Sequence, residues 1–168
     1  LLSRRKTLRM KIAISASSFA SSVDQAPLIF LLSKDCEVVK NQCGRRLSIG
    51  ETIRLLQGAD GLLAGLETLN RQVLMSCRNT LKAIARIGSD INNVDMAAAT
   101  EFGIKVSSTS DTISSSVAEM TTAALLAICR RLIPANKNMH SQIWKKELGC
   151  SLSGLSVLII GHGSVGHA

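Results

Sequence analysis

The run Val157-Leu158-Ile159-Ile160 leads directly into Gly161-His162-Gly163-Ser164-Val165-Gly166. Such an apolar, β-branched run is typical of a buried parallel strand, because both faces of that strand are covered and alternation is lost. In the G-x-G-x-x-G turn, Gly161 allows a tight exit from the strand and Gly163 allows backbone N–H groups to approach a pyrophosphate. Gly166 allows the next helix to pack close to the sheet. The motif also occurs as a plain glycine turn, but its place after an apolar strand favours a dinucleotide-binding turn.

The composition indicates a globular chain that binds neither nucleic acid nor membrane. Hydrophobic residues make up 46% of the 168 residues and aromatic residues only 2%, so Leu, Ile, Val and Ala must build the core. The net charge is +8, but a nucleic-acid surface usually adds stacking aromatics, and the chain has no Tyr and one Trp. No apolar run reaches the roughly 18 residues of a membrane span. We expect solvated basic faces that steer a small anionic ligand.

The cysteines and the basic first residues bear on the location of the protein. Five cysteines are scattered along the chain without a C-x-x-C pair or a histidine at ligand spacing. Such an odd, dispersed set predicts reduced thiols in a cytoplasmic protein and no metal site. Residues 1–9 are basic and are not followed by the apolar segment of a secretory signal, so we interpret them as a flexible extension.

Short apolar strands alternate with helical stretches in the first two thirds of the chain. This alternation predicts an α/β fold with a parallel sheet and right-handed crossovers. Ser48 followed by Glu51 predicts a capping box at a helix start, and Gly103 predicts a left-handed helix end. We expect Leu28, Leu31 and Leu32 to form the inner face of the first helix. The predicted strands are 11–15, 36–39, 59–64, 81–86 and 104–106, and the predicted helices are 27–33, 49–57, 70–77 and 94–102.

The later part of the chain begins with a serine-rich hinge at 107–116. Apolar residues at three- and four-residue spacing predict a long helix over 115–134, with Ser114 or Ser115 as its N-cap and Pro134 as a break. A second helix over 136–146 would carry Trp144. The predicted organisation is a basic extension at 1–9, a first domain at 10–110, linking helices at 111–150, and the start of a nucleotide-binding domain at 151–168.

A series of short motifs follows the chain in a consistent order. They are Asp60-Gly61-Leu62-Leu63-Ala64-Gly65-Leu66-Glu67, Ile84-Ala85-Arg86-Ile87-Gly88, Asn93-Val94-Asp95, the stretch 97–106, Ser116-Val117-Ala118-Glu119, Trp144-Lys145-Lys146, Leu152-Ser153-Gly154 and the glycine turn. In this order they resemble the D-isomer-specific 2-hydroxyacid dehydrogenases, especially the D-3-phosphoglycerate dehydrogenase group. The resemblance implies a flavodoxin-like parallel sheet as substrate domain, an interdomain helix, and the first strand of a truncated Rossmann domain.

The resemblance also implies where ligands bind. In that family the loop matching Arg86-Ile87-Gly88-Ser89-Asp90 lines the cleft, which implies substrate-binding roles for Arg86, Gly88 and Ser89. The position matching Ser89 also approaches the nicotinamide end of the cofactor. The residues implied to bind the pyrophosphate of NAD are Gly161, Gly163, Ser164, Val165 and Gly166.

The implied activity is NAD-dependent hydride transfer to or from an anionic 2-hydroxy acid such as 3-phosphoglycerate, in an enzyme whose full-length form is a homodimer. The family's catalytic histidine, its orienting acid and its substrate-binding arginine follow the glycine turn, so the resemblance assigns no catalytic residue here. None of His140, His162 and His167 matches the catalytic position. Asp90 departs from the family loop and would repel a substrate carboxylate. The alternative is a non-catalytic βα ligand-binding or interaction module, a decayed dehydrogenase fragment.

Overall fold

The computed structural model describes residues 9–20, 24–88, 90–109 and 113–168. The chain divides into two compact units, Leu1–Thr109 and Ser110–Ala168. The first unit contains all the strands found in the described residues, and the second unit is helical.

A five-stranded sheet forms the centre of the first unit, and every neighbouring pair of strands in it is parallel. The order is β2-β1-β3-β4-β5, which is the flavodoxin-like order. The predicted α/β class and parallel sheet are therefore confirmed. The strands are β1 (Lys11–Ile14), β2 (Glu37–Lys40), β3 (Gly61–Ala64), β4 (Ala83–Arg86) and β5 (Lys105–Ser108).

Polar side chains fix where the helices of the first unit begin. The capping box is confirmed: the Glu51 N–H donates to the Ser48 hydroxyl, and the Ser48 N–H donates to a Glu51 carboxylate oxygen at 2.8 Å. Hydrogen bonds from the Arg45 guanidinium and from Ser48 hold the pKa of Glu51 well below its usual range. Gly103 has φ +69°, as predicted for a left-handed helix end. The helices are α1 (Ala26–Ser33), α2 (Ile49–Leu55), α3 (Arg71–Cys77) and α4 (Met96–Glu101).

The core of the first unit lies between the central strands and the helices α2, α3 and α4. Leu62 of β3 and Ile84 of β4 are buried together with Leu74 of α3 and Ala98 of α4. The predicted inner face of α1 is wrong in part: Leu28 and Leu31 are half-buried, but Leu32 is 55% exposed and no residue of α1 is buried. Nearly every residue of α1 is apolar, so its sequence contains no polar face that would identify the inner one.

Gly65, directly after β3, allows a close approach between two backbone segments. A Cβ there would lie 2.9 Å from the Cα of Ala16. Gly65→Ala is therefore expected to destabilise the first unit by about 1–3 kcal/mol, because the Ala16 backbone must move. Gly50→Ala is the matched control, since its Cβ meets nothing within 4 Å and its backbone is helical; it should be neutral or stabilising by up to ~1 kcal/mol. Urea unfolding followed by circular dichroism compares the two, and equal effects would contradict the packing argument.

The second unit consists of α5 (Ser114–Cys129), α6 (Leu132–His140) and the short α7 (Ser164–His167), and both α6 and α7 contact α5. The predicted single helix over 115–134 is wrong at its end. It stops at Cys129 because Arg131 adopts a left-handed conformation, with φ +56°. Pro134 instead lies in the first turn of α6, where the missing N–H is unpaired in any helix.

Three further predictions for this unit are wrong. The N-cap of α5 is Ile113 without a side-chain cap, not Ser114 or Ser115. Trp144 lies outside α6 and is 90% exposed, because the helix ends at His140. The segment 157–160 forms no strand, and Ile160 is 92% exposed. A strand needs neighbouring strands for its N–H and C=O groups, and no strand of the described residues pairs with this segment.

Among the described residues, no helix is both long and apolar enough to cross a lipid bilayer.

Candidate functional site

The carboxyl edge of the sheet is the candidate site of the first unit. Because all strands are parallel, the segments that follow Ile14, Ala64, Arg86 and Ser108 meet at this one edge. Ligands of open α/β sheets bind outside the carboxyl ends of the strands. The side chains at this edge therefore decide what the unit is able to bind.

A buried carboxylate joins the ends of β1 and β3. Glu67 is 1% exposed, and its Oε1 accepts a hydrogen bond from the Ser15 hydroxyl. Its Oε2 accepts the Gly65 N–H at 3.1 Å, and Ser15 Oγ lies 3.1 Å from the same nitrogen. Burying a carboxylate is costly unless hydrogen bonds compensate, and these contacts supply them. Glu67 thus fixes the loop after β3 against the end of β1.

Asn93 extends this arrangement to β4. Its Nδ2 donates to the carbonyls of Gly65 at 3.2 Å and of Glu67 at 2.7 Å. Its Oδ1 accepts a hydrogen bond from Arg86 Nε at 3.4 Å, and the Arg86 guanidinium also donates to the Ile87 carbonyl. Arg86 is 7% exposed. The guanidinium of this predicted substrate-binding residue therefore contacts protein groups at the edge.

The predicted cleft loop is held by β5. Gly88 has φ +135°, and its N–H donates to the Thr109 hydroxyl at 2.9 Å. The Thr109 N–H in turn lies 3.2 Å from the carbonyls of Arg86 and Gly88. A Cβ on Gly88 would overlap the Arg86 guanidinium, so both the backbone conformation and the space require glycine here. Ser89, predicted to contact substrate and cofactor, lies outside the described residues.

Asp90 lies exposed at the end of this loop. Its Oδ1 accepts the Asn92 N–H at 2.7 Å, which is the geometry of an Asx turn. The carboxylate therefore has a local structural role, and it also adds negative charge next to Gly88.

In the second unit, the three glycines of the terminal turn differ in what requires them. Gly161 has φ +106°, a conformation that disfavours other residues. A Cβ on Gly166 would overlap the Gly161 carbonyl oxygen. A Cβ on Gly163 would meet nothing within 4 Å. Protein packing thus explains two of the glycines, while the space in front of Gly163 is open to a ligand.

The turn borders a cavity of about 620 Å³ that also touches α5. Four of the predicted cofactor residues line it, and Ser164 is exposed as the first residue of α7. The first turn of α7 is formed, since the His167 N–H donates to the Gly163 carbonyl at 3.0 Å. The rings of His162 and His167 stack with their centroids 5.4 Å apart. The lining residues are Ala118, Thr121, Thr122, Ile159, Ile160, Gly161, Gly163, Val165, Gly166 and Ala168.

Similarity to known proteins identifies the family of this chain. The family described as D-isomer specific 2-hydroxyacid dehydrogenase, catalytic domain, matches residues 18–160, which is most of the chain. The chain belongs to this family. It is 31% identical over 149 residues to the D-3-phosphoglycerate dehydrogenase of Rattus norvegicus, an alignment that covers 88% of this chain and 27% of the rat enzyme.

Solved structures of family members have the same fold. A D-isomer specific 2-hydroxyacid dehydrogenase from Polaromonas is 26% identical with a TM-score of 0.79, over 95% of this chain and 50% of that protein. The 3-phosphoglycerate dehydrogenase of Entamoeba histolytica, solved with NAD+ bound, matches at a TM-score of 0.74 and 22% identity, over 95% of this chain and 48% of that one. The chain thus spans about a quarter of its rat relative and half of these two structures.

Sequence reasoning did not assign roles to Glu67, Asn93 and Thr109, which organise the carboxyl edge. Glu67 and Asn93 each lie within a recognised motif, but Glu and Asn side chains are mostly solvent-exposed in proteins, so the sequence does not indicate that Glu67 is buried. The available signal is their position: each follows a predicted strand end at the edge where strands converge.

Proposed function

We propose that this dehydrogenase chain serves an NAD-dependent oxidoreductase that transfers hydride between nicotinamide and an anionic 2-hydroxy acid such as 3-phosphoglycerate. The open space at Gly163 is the observation that supports NAD as the cofactor. Backbone conformation and packing already explain the other two glycines of the turn, Gly161 and Gly166. Family membership supports the reaction class.

The residues of the turn fit a dinucleotide. Gly163 leaves the backbone uncovered, Gly161 and Gly166 shape the turn, and the N–H groups of Ser164 and Val165 would donate to a pyrophosphate. When bound, NAD supplies the nicotinamide carbon that accepts or donates the hydride. We further propose, from the family loop, that Ser89 contacts the nicotinamide end.

The substrate residues that we propose are Arg86, Gly88 and Ser89. Arg86 supports this role through its charge and by holding the Ile87 carbonyl, which shapes the loop that a carboxylate would meet. The exposed Asp90 carboxylate opposes an anion at the same loop. This repulsion between Asp90 and a substrate carboxylate favours a second candidate function, a βα ligand-binding module without catalysis.

A turnover measurement separates the two functions. The 168-residue chain is expected not to reduce NAD in the presence of 3-phosphoglycerate, because the family's acid–base residues follow the glycine turn and the resemblance assigns no catalytic residue to this chain. A chain extended by a complete nucleotide domain with a late histidine should form NADH above a no-enzyme control. Heat-sensitive NADH formation by the 168-residue chain contradicts the first expectation, and a folded but inactive extended chain supports the non-catalytic module.

We also propose a homodimer for the full-length enzyme and a cytoplasmic location. Met120, Ile128 and Ile133 on the helices of the second unit are each at least 70% exposed, which supports a surface that another protein subunit covers. The five cysteines are free, which supports a reducing compartment. No group of three or more potential metal ligands occurs in the described parts of the chain, and the proposed function needs none.

A further inference from the structure

Cys129 and Cys150 meet in the second unit, although α6 separates them along the chain. The N–H of Cys150 donates to the carbonyl of Cys129 at 2.8 Å. The backbone at the preceding residue is equally close, since a Cβ on Gly149 would overlap the same carbonyl oxygen. The main chains of Cys129 and Cys150 are therefore in direct contact.

This geometry suits a disulfide. A direct main-chain hydrogen bond places the two backbones side by side, and disulfides join residues whose Cα atoms are about 4.4–6.8 Å apart. We propose that Cys129 and Cys150 are a redox-sensitive pair that forms a reversible intramolecular disulfide with a low-molecular-weight disulfide, such as oxidised glutathione, as the oxidant. This inference concerns the thiols alone and does not depend on the proposed dehydrogenase function.

The other three cysteines lie in different surroundings. Cys36 and Cys77 are buried in the first unit, and burial raises the pKa of the Cys77 thiol to about 11. Cys43 is exposed, but its thiol faces the Glu51 carboxylate at 3.9 Å. Among the described residues, Cys129 and Cys150 are the only two cysteines whose main chains are joined by a hydrogen bond.

The order of the exchange steps follows from exposure. Cys150 is exposed, whereas Cys129 is half-buried, and this burial raises the pKa of the Cys129 thiol. The Cys150 thiolate therefore attacks glutathione disulfide first, which breaks its S–S bond, forms a mixed disulfide and releases one glutathione thiol. The Cys129 thiolate then attacks Sγ of Cys150 and releases the second glutathione. Two protein thiols are oxidised, and one glutathione disulfide is reduced to two thiols.

The disulfide would stabilise a unit that has little buried core of its own. Within residues 113–168, Ser114 is the only buried residue. The disulfide fixes the segment that leads to the glycine turn onto the end of α5. Loop closure restricts the unfolded chain more than the folded one, so the oxidised second unit should resist unfolding and proteolysis better than the reduced one.

Peptide mapping of the full 168-residue chain tests the pair directly. Trypsin cleavage after Arg130 and Lys146 places the two cysteines on separate peptides, 106–130 and 147–168, each with a single cysteine. After treatment with oxidised glutathione, we expect these peptides to be joined under non-reducing conditions, in protein that remains monomeric under denaturing electrophoresis. Dithiothreitol should separate them.

Single variants test the order of the steps. In Cys129→Ser, glutathione should remain bound to Cys150 as a mixed disulfide. In Cys150→Ser, Cys129 should react with oxidised glutathione about tenfold more slowly than Cys150 does in the first variant. Cys43 is the control of similar exposure and should collect only mixed disulfide. A 129–150 link that forms no faster than links to Cys43, or that appears only in covalent dimers, would overturn the proposal. So would stable glutathione adducts on both cysteines of the unmodified chain.

Discussion

Replacing Glu67 by Leu is expected to destabilise the first unit by about 1–3 kcal/mol. The substitution removes the carboxylate that accepts the Ser15 hydroxyl and the Gly65 N–H, and these donors keep only the Leu63 carbonyl and Ser15 Oγ as partners. The loss should appear as a lower urea midpoint in far-UV circular dichroism with an unchanged slope.

Two control variants identify the cause of that loss. Glu101→Leu makes the same chemical change at an exposed site, where only a surface ion pair with Arg71 is lost, so the cost should stay within about 1 kcal/mol. Glu67→Gln keeps the shape and one acceptor oxygen and should fall between the two. If Glu67→Leu costs no more than Glu101→Leu, the carboxylate is not the structural centre of the carboxyl edge.

Much of the fold could be predicted because its signals are local. Ser48 with Glu51 marks a helix start by direct hydrogen bonds over one turn, and Gly103 marks an end by its own backbone conformation. The alternation of apolar strands and helices permits few topologies, since parallel strands need crossovers of one hand. These features depend on neighbours in sequence and so are visible in it.

The wrong predictions concern features that depend on hydrogen-bond partners distant in sequence or on a backbone conformation that the residue type does not indicate. The run 157–160 has the composition of a buried strand, but a strand forms only when other strands accept and donate its hydrogen bonds. The predicted end of α5 is wrong because Pro134 is a recognisable helix breaker in the sequence. The residue that ends α5 is the left-handed Arg131, and an arginine gives no sequence signal for that conformation.

The candidate site shows the same division. The glycine turn is visible in the sequence from its spacing, but the reasons for glycine at Gly161 and Gly166, a positive φ and the nearby Gly161 carbonyl, appear only in the structure. The links among Ser15, Glu67 and Asn93 join residues that are distant in sequence, and only the sheet order brings them together. Without the strand pairing of the sheet, the sequence therefore indicates the edge that binds ligands but not the residues whose hydrogen bonds hold that edge together.

Cofactor binding at the glycine turn is expected to require more of a nucleotide domain than the 168-residue chain contains. The turn is formed, but α7 has only four residues, so few dipoles add to its N–H donors, and the preceding segment is exposed. We expect a dissociation constant for NAD no better than about 1 mM. A chain extended by a complete nucleotide domain should bind more tightly, and calorimetric titration of both proteins measures the difference. Micromolar binding by the 168-residue chain would show that the site is already complete.

Gly163→Val in the extended chain should then weaken NAD binding about 100-fold, which corresponds to ~2.7 kcal/mol. The side chain would fill the space where the pyrophosphate approaches, while the protein has no atom within 4 Å of the new Cβ, so folding should be unaffected. Ser164→Ala is the matched control, because backbone N–H groups are expected to bind the phosphates, and its affinity should change by less than about threefold. Gly166→Ala should instead distort the turn, since its Cβ overlaps the Gly161 carbonyl oxygen. Unchanged NAD affinity in a folded Gly163→Val protein would place the pyrophosphate elsewhere.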